Sequence, residues 1–152
     1  MKLSTKGRYA LVSLLDIAKH QHQGLVSIAE VSRRQDISLA YLEQLFSKIR
    51  RNDLVVSTRG HGGGYKLARG ASAISIEEIL LAVDENIDAL STGAGMKGGD
   101  CGSIEQVLSN KMWESLSAQV HLYLHRTTLA DVIDDSLSPC PAMPSLSEFE
   151  ET

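Results

Sequence analysis

The chain is poor in the residues that would mark several common protein classes. Among its 152 residues are two cysteines, Cys101 and Cys140, too few for a disulfide framework. One bridge is possible on counting alone, and a reducing compartment disfavours it. No Cys-x-x-Cys pair occurs, so zinc-finger spacing is absent. Three prolines and the lack of a long polar tract argue against global disorder. No apolar run approaches the roughly eighteen residues of a membrane span. Met1 to Arg8 show no apolar core followed by a cleavage site, and a cytoplasmic location is the expectation. The glycine-rich stretches lack the Gly-x-x-x-x-Gly-Lys-Ser/Thr pattern of a phosphate-binding loop.

What is present suits a soluble protein of one-domain length with room for a dimerisation element. Apolar residues make up 43% and charged residues 22%, enough to bury a real core. The formal net charge of −4 hides a split. Residues 1–69 hold twelve Lys or Arg against five acids, whereas residues 70–152 hold three against fourteen. A basic half on an acidic protein points to a polyanionic partner.

Apolar periodicity and capping residues outline the elements. A first helix is expected over residues 5–21, capped by Thr5, with Ala10, Leu11, Leu14, Leu15 and Ala18 at helical spacing. Ser27 and Glu30 form a capping box for a short second helix to about Arg34. Gln35-Asp36-Ile37 makes a tight turn. Ser38 caps a third helix, Leu39 to about Asn52, with Leu42, Leu45, Phe46 and Ile49 on its buried face. Two β-prone runs, 54–57 and 65–68, flank a basic, glycine-rich tip and predict a hairpin. Ser75 and Glu78 open a further short helix. After the glycine-rich stretch 90–103, Ser103 and Gln106 cap a long helix to about Arg126. Its residues Ile104, Val107, Leu108, Met112, Leu116, Val120 and Tyr123 are expected to form one stripe, either a dimer seam or a face packed on its own domain. Thr128 to Ile133 forms a last turn or two, and the tail from Ser136 is expected to be disordered.

Two capped helices joined by a short turn and followed by a basic hairpin read as a winged helix-turn-helix. The fold class is mainly α with a small β-hairpin. A helix fits the major groove, where its first side chains meet base edges. Those side chains are Ser38, Leu39, Ala40, Tyr41, Glu43 and Gln44. Gln44 is suited to paired hydrogen bonds with adenine, and Glu43 to accepting from cytosine. Glu43 also repels phosphate, so it would act mainly against unsuitable sequences. Arg59 at the hairpin tip suits a narrow minor groove. Lys6, Arg8, Lys48, Arg50 and Arg51 suit phosphates, which fix register without reading sequence. Each has a plainer reading: Glu43 as a solvated partner of Lys48 or Lys6, Tyr41 as a half-buried packing residue, Arg59 as an ordinary turn residue.

Four segments carry a family resemblance: residues 2–10 (KLSTKGRYA), 37–46 (ISLAYLEQLF), Arg59-Gly60-x-Gly62-Gly63-Gly64-Tyr65, and 127–132 (TTLADV). They resemble the bacterial IscR/NsrR/RirA family of winged-helix regulators, most strongly its iron–sulfur-regulating branch. The resemblance spans about residues 1–135. It implies a homodimeric transcription factor, a repressor of genes for iron–sulfur cluster assembly and iron homeostasis. It implies Ser38, Tyr41, Glu43 and Gln44 in the major groove and Arg59 in the minor groove. Ala40 departs from the serine common at that position. The implied partners are operator DNA, a second copy of the chain and RNA polymerase. The expected division is a DNA-binding domain over 1–84, with helix-turn-helix at about 27–52 and wing at about 54–68. A sensing loop over 85–103, dimerisation and terminal helices over 104–135, and a tail over 136–152 complete it.

The sensing loop departs from the family. Its sensing members place three cysteines there, often followed by a histidine, whereas this chain has Cys101 alone. Thr92, Val107 and Asn110 stand near the places of the missing ligands. Three readings stay open. Cys101 ligates an iron–sulfur cluster, 2Fe-2S by preference, with other ligands unidentified or supplied across a dimer. It is a metal-free redox thiol. Or sensing has been lost. His121 and His125, one turn apart, are further candidate ligands, with the plainer reading of structural histidines. Two other classes are a cysteine-dependent enzyme, for which no oriented Cys/His pair can be read, and a winged-helix interaction module that no longer touches DNA.

Overall fold

The computed structural model describes residues 3–87 and 103–137. The chain runs through α1 (Thr5–His20), α2 (Ile28–Gln35), α3 (Leu39–Arg51), β1 (Val55–Thr58), β2 (Gly64–Leu67), α4 (Ile76–Ala82), α5 (Ile104–Arg126) and α6 (Leu129–Ile133). It is the expected mainly helical architecture with one antiparallel hairpin, Val55 pairing with Leu67 and Thr58 with Gly64. The strands lie one residue from the expected runs. Leu54 is pulled into the core ahead of β1, where its carbonyl accepts from the Ala68 amide at 3.0 Å.

Local signals explain most boundaries. Ser27/Glu30, Ser75/Glu78, Ser103/Gln106 and Thr128/Asp131 are reciprocal capping boxes, each satisfying helix N-terminal amides that otherwise lack partners. α2 stops because Asp36 adopts a left-handed backbone with φ 53°, which Asp tolerates better than most residues. α3 starts at Ser38, whose hydroxyl accepts from the Tyr41 amide. The cap of α1 differs from the expectation. Ser4, not Thr5, accepts the Lys6 amide, and Thr5 is the first helical residue. The reason is tertiary. The buried Glu85 carboxylate accepts from the Ser4 amide at 2.9 Å, the Ser4 hydroxyl and the Gly7 amide at 3.1 Å. It thereby takes up donors that a local cap would leave free.

One core joins these elements. Ala10, Leu14 and Ile17 of α1 meet Val31, the α3 face Leu42-Leu45-Phe46-Ile49, Leu67 of the wing and Ile76-Ile79-Leu80 of α4. Leu124 and Leu129 belong to the same cluster. The end of α5 is fastened there by the backbone: Ile76 donates to the Thr127 carbonyl and Leu129 to the Ile74 carbonyl, both at 2.9 Å. Beneath α1, the Asp16 carboxylate is fully buried and paired with Arg34 at 2.6 Å and Gln35 at 2.7 Å. Burial pushes its pKa up. The Arg34 and Gln35 hydrogen bonds outweigh that and hold it below the usual carboxylate value.

The single stripe expected on α5 is corrected. Steps of four residues advance about 40° around a helix, so the row winds as it descends. Its lower end turns inward: Val120 packs on the core beside buried Leu124. Ile104, Val107, Leu108, Met112, Leu116 and Tyr123 stay exposed, with Ile104 at 66% and Leu108 at 58%. Trp113 and Leu122 are exposed too. Among the described residues, no helix is long and apolar enough to cross a membrane.

Candidate nucleic-acid interface

Sequence places Leu42, Leu45, Phe46 and Ile49 on one face of α3, and their burial orients the helix. Ala40, Glu43 and Gln44 lie at the complementary helical spacing and are exposed. Ser38 is exposed at the N-terminus, its oxygen accepting the cap hydrogen bond while its hydroxyl hydrogen stays available. Among the described residues, no basic group lies within ion-pair distance of Glu43. Lys6 and Lys48, its expected alternatives, are directed elsewhere. Lys6 Nζ donates to the Asp84 carbonyl at 3.0 Å, and Lys48 Nζ meets the Asp84 carboxylate at 2.6 Å.

Tyr41 is half-buried, its ring edge-on to Tyr9 at 5.7 Å. This contact sets the start of α1 against the start of α3. Lys6 shares Asp84 with Lys48 of α3, and Arg8 is exposed on the first turn of α1. Arg50 and Arg51 are exposed on the last turn of α3, and Arg50 Nη1 reaches Ser57 Oγ of β1 at 3.5 Å.

The wing is held from below. Val26 and Tyr65 exchange backbone hydrogen bonds of 3.0 and 2.7 Å, and the Tyr65 ring rests edge-on against Phe46 at 5.0 Å. Gly60 and Gly62, with φ of 108° and 74°, turn the tip that carries exposed Arg59. Arg59 stands apart from the other candidate residues, with no hydrogen bond or ion pair to any of them among the described residues. A scaffold that fixes one polar helix face, a basic tip and the exposed cations Arg8, Arg50 and Arg51 has the parts for groove readout and phosphate contact.

Two neighbours of the candidate site carry no local sequence signal. Asp84 and Glu85 act on residues 36 to 81 positions away, and no local motif signals such contacts. Gly7 held a faint clue. A side-chain carbon there would lie 2.9 Å from Leu3 and Leu80 side chains and 3.0 Å from Glu85 Oε2. The glycine between Lys6 and Arg8 is what lets the buried carboxylate approach.

Cys101, Cys140 and almost all of the glycine-rich stretch lie outside the described residues. The described residues contain no group of three His, Cys, Asp or Glu side chains placed to hold a metal ion. His121 and His125 both turn to their own domain, reaching Glu77 at 3.3 and 2.8 Å. The His125 hydrogen bond, followed by that of His121, holds the Glu77 pKa below the ordinary value. The described residues therefore do not by themselves complete a cluster site.

Comparison with known proteins agrees with this geometry. The model of a family described as an iron-dependent transcriptional regulator, Rrf2, matches residues 3–135. A curated protein of Cereibacter sphaeroides, described as the HTH-type transcriptional regulator IscR, is 59% identical over 148 residues, covering 96% of each chain. The IscR of Erwinia tasmaniensis is 45% identical over 135 residues, covering 89% of this chain and 80% of that protein. Among solved structures, IscR of T. potens superimposes with a TM-score of 0.65 at 31% identity, covering 95% of this chain and 94% of that one. CymR, described as the global cysteine regulator of B. subtilis, gives 0.70 at 30% identity, covering 89% and 98%.

Proposed function

The chain belongs to the Rrf2 family of transcriptional regulators, and from that premise we propose that it reads operators as a dimer and represses genes of iron–sulfur cluster assembly and iron homeostasis. It is a DNA-binding regulator and not an enzyme; its relatives and its fold are those of regulators. The observation that carries the reading is the exposed α3 face, held beside a docked wing and flanked by cations. Gln44 and Ser38 supply base-edge hydrogen bonds, and Arg59 enters the minor groove. Tyr41 joins them through the part of its side chain that Tyr9 leaves free. Ala40 offers a methyl group where a thymine methyl can pack. Lys6, Arg8, Lys48, Arg50 and Arg51 meet phosphates.

Glu43, with no cation partner among the described residues, acts by rejection. It accepts from a cytosine amino group where one is offered and otherwise leaves a charge facing phosphate. Selection of genomic fragments with wild type and Glu43→Ala tests this. The variant is expected to accept a wider set of sites, with the cost of a mismatched pair falling by about 1–3 kcal/mol at the position Glu43 reads. Identical site preferences before and after the change would remove Glu43 from the discrimination.

The division of labour proposed along the chain follows the expected boundaries: DNA reading in 1–84, sensing in 85–103, dimerisation in 104–135. Cys101 is the thiolate that would hold an iron–sulfur cluster, with the remaining ligands drawn from outside the described residues or from a second copy. When bound, such a cluster supplies redox and iron-dependent chemistry. Protein purified without oxygen is expected to carry iron and acid-labile sulfide, and Cys101→Ala to lose both. Colourless, iron-free wild type that still regulates would replace the cluster with thiol redox sensing.

A further inference from the structure

The acid that ends the DNA-binding body takes two of the cations that the site would offer to DNA. α4 finishes at Ala82, and the backbone turns at Asp84 with φ 55°. Asp84 is fixed from its next residue: Glu85 is buried and accepts from both Ser4 groups and the Gly7 amide. Asn52 at the end of α3 donates to the Ala82 carbonyl at 3.4 Å. Held by these anchors, Asp84 faces α1 and α3 together. Its carboxylate meets Lys48 Nζ at 2.6 Å and its carbonyl accepts from Lys6 Nζ at 3.0 Å. Lys48 lies on the last turns of the recognition helix, and Lys6 on the first turn of α1.

We propose that Asp84 is a built-in competitor for DNA phosphate, its carboxylate holding Lys48 in the free protein beside the Lys6 that its carbonyl steadies, and so setting how tightly the regulator grips duplex of any sequence. The inference rests on the reading that α1 and α3 present cations to phosphate. The Lys48–Asp84 pair is well exposed, with side-chain exposures of 43% and 73%. Exposed pairs are weak, so phosphate displaces Asp84 without a large barrier. A strong buried pair would instead lock the lysines and abolish binding. The competitor therefore lowers affinity in a graded way. Its effect falls on the phosphate term, which carries no sequence information. The ratio of operator to unrelated affinity is unchanged; what falls is the occupancy of unrelated DNA at a protein concentration that still saturates the operator.

Asp84→Asn is the suitable probe. Asparagine tolerates the left-handed backbone as well as aspartate does, and it removes only the charge. In fluorescence binding assays, the variant is expected to bind operator and unrelated duplex each about two- to fivefold more tightly. The slope of log affinity against log salt should steepen by up to about one. The increase should vanish in a Lys48→Ala background. Asp84→Gly, equally free at this backbone angle, should reproduce the gain and so exclude an effect peculiar to asparagine. Unchanged affinity in both Asp84 variants would overturn the proposal. Weaker binding would also overturn it, making Asp84 a positioning residue for Lys48. If Lys48→Ala and Lys6→Ala leave wild-type affinity unchanged, the phosphate-contact reading itself fails and the competitor fails with it. If the lysine variants weaken binding while the Asp84 variants do nothing, only the competitor fails.

Discussion

Gly64→Ala is expected to destabilise the protein by about 1–3 kcal/mol and to abolish operator recognition through the wing. A methyl carbon at this position would lie 2.7 Å from the Val26 carbonyl oxygen, 2.8 Å from its carbon and 3.1 Å from the Ser27 nitrogen. All three are backbone atoms at the entrance to α2, pinned by the Ser27/Glu30 capping box, and none can rotate away. Relief requires the hairpin to lift. That breaks the Val26–Tyr65 backbone pair and the Tyr65–Phe46 ring contact, the two links that aim Arg59. Thermal melting should fall by roughly 5–10 °C, with a matching loss of operator affinity. Gly70→Ala is the control within the same chain. Gly70 has φ −58°, and an added carbon would meet nothing nearer than Ser72 Oγ at 3.9 Å. It should be neutral or raise stability by about 0.4–1 kcal/mol through the unfolded chain. Equal effects of the two substitutions would mean that the wing is not docked as described.

The second large effect concerns α5. Ile104, Leu108, Met112 and Leu116 are each at least 42% exposed on its outward side. Apolar surface of this extent is the seam proposed for the second copy. The double substitution Leu108→Asp, Leu116→Asp places four carboxylates in a two-fold seam without touching Val120 or Leu124, which anchor the helix to the core. Monomers are expected at micromolar concentration by sedimentation. Operator affinity should fall by roughly 10²–10⁴-fold, because each half-site then binds alone and loses the effective concentration supplied by its partner. A dimer with unchanged operator affinity would move the seam to another surface, with exposed Trp113 and Leu122 the next residues to test.

The legible parts of this fold were those set by near neighbours. Three of the four capping boxes, Ser27/Glu30, Ser75/Glu78 and Ser103/Gln106, with the buried face of α3 and the glycine-turned hairpin, follow from residues within a few positions of one another. The exposed face of α3, proposed to read DNA, is legible for the same reason: once Leu42, Leu45, Phe46 and Ile49 face inward, Ala40, Glu43 and Gln44 must face outward. What escaped is long-range. Ser4 replaces Thr5 as the cap of α1 because Glu85, 81 residues on, binds its amide. Lys48 looked available to Glu43, five residues away, but pairs with Asp84 instead. Val120 left the expected stripe because α5 is tied to α4 at Thr127, so its lower turns must face the core. His121 and His125 could not be told from ligands by spacing, since their partner Glu77 lies 44 and 48 residues back.

Affinity measured against salt concentration on a selected operator and on scrambled duplex tests the central claim most directly. A dimer that grips phosphate through several cations while α3 reads bases should lose about 10³–10⁵-fold in affinity between roughly 50 and 200 mM salt. It should also hold the operator at least about 10³-fold more tightly than scrambled DNA. Binding that ignores salt, or that treats the two duplexes alike at every salt concentration, would contradict it.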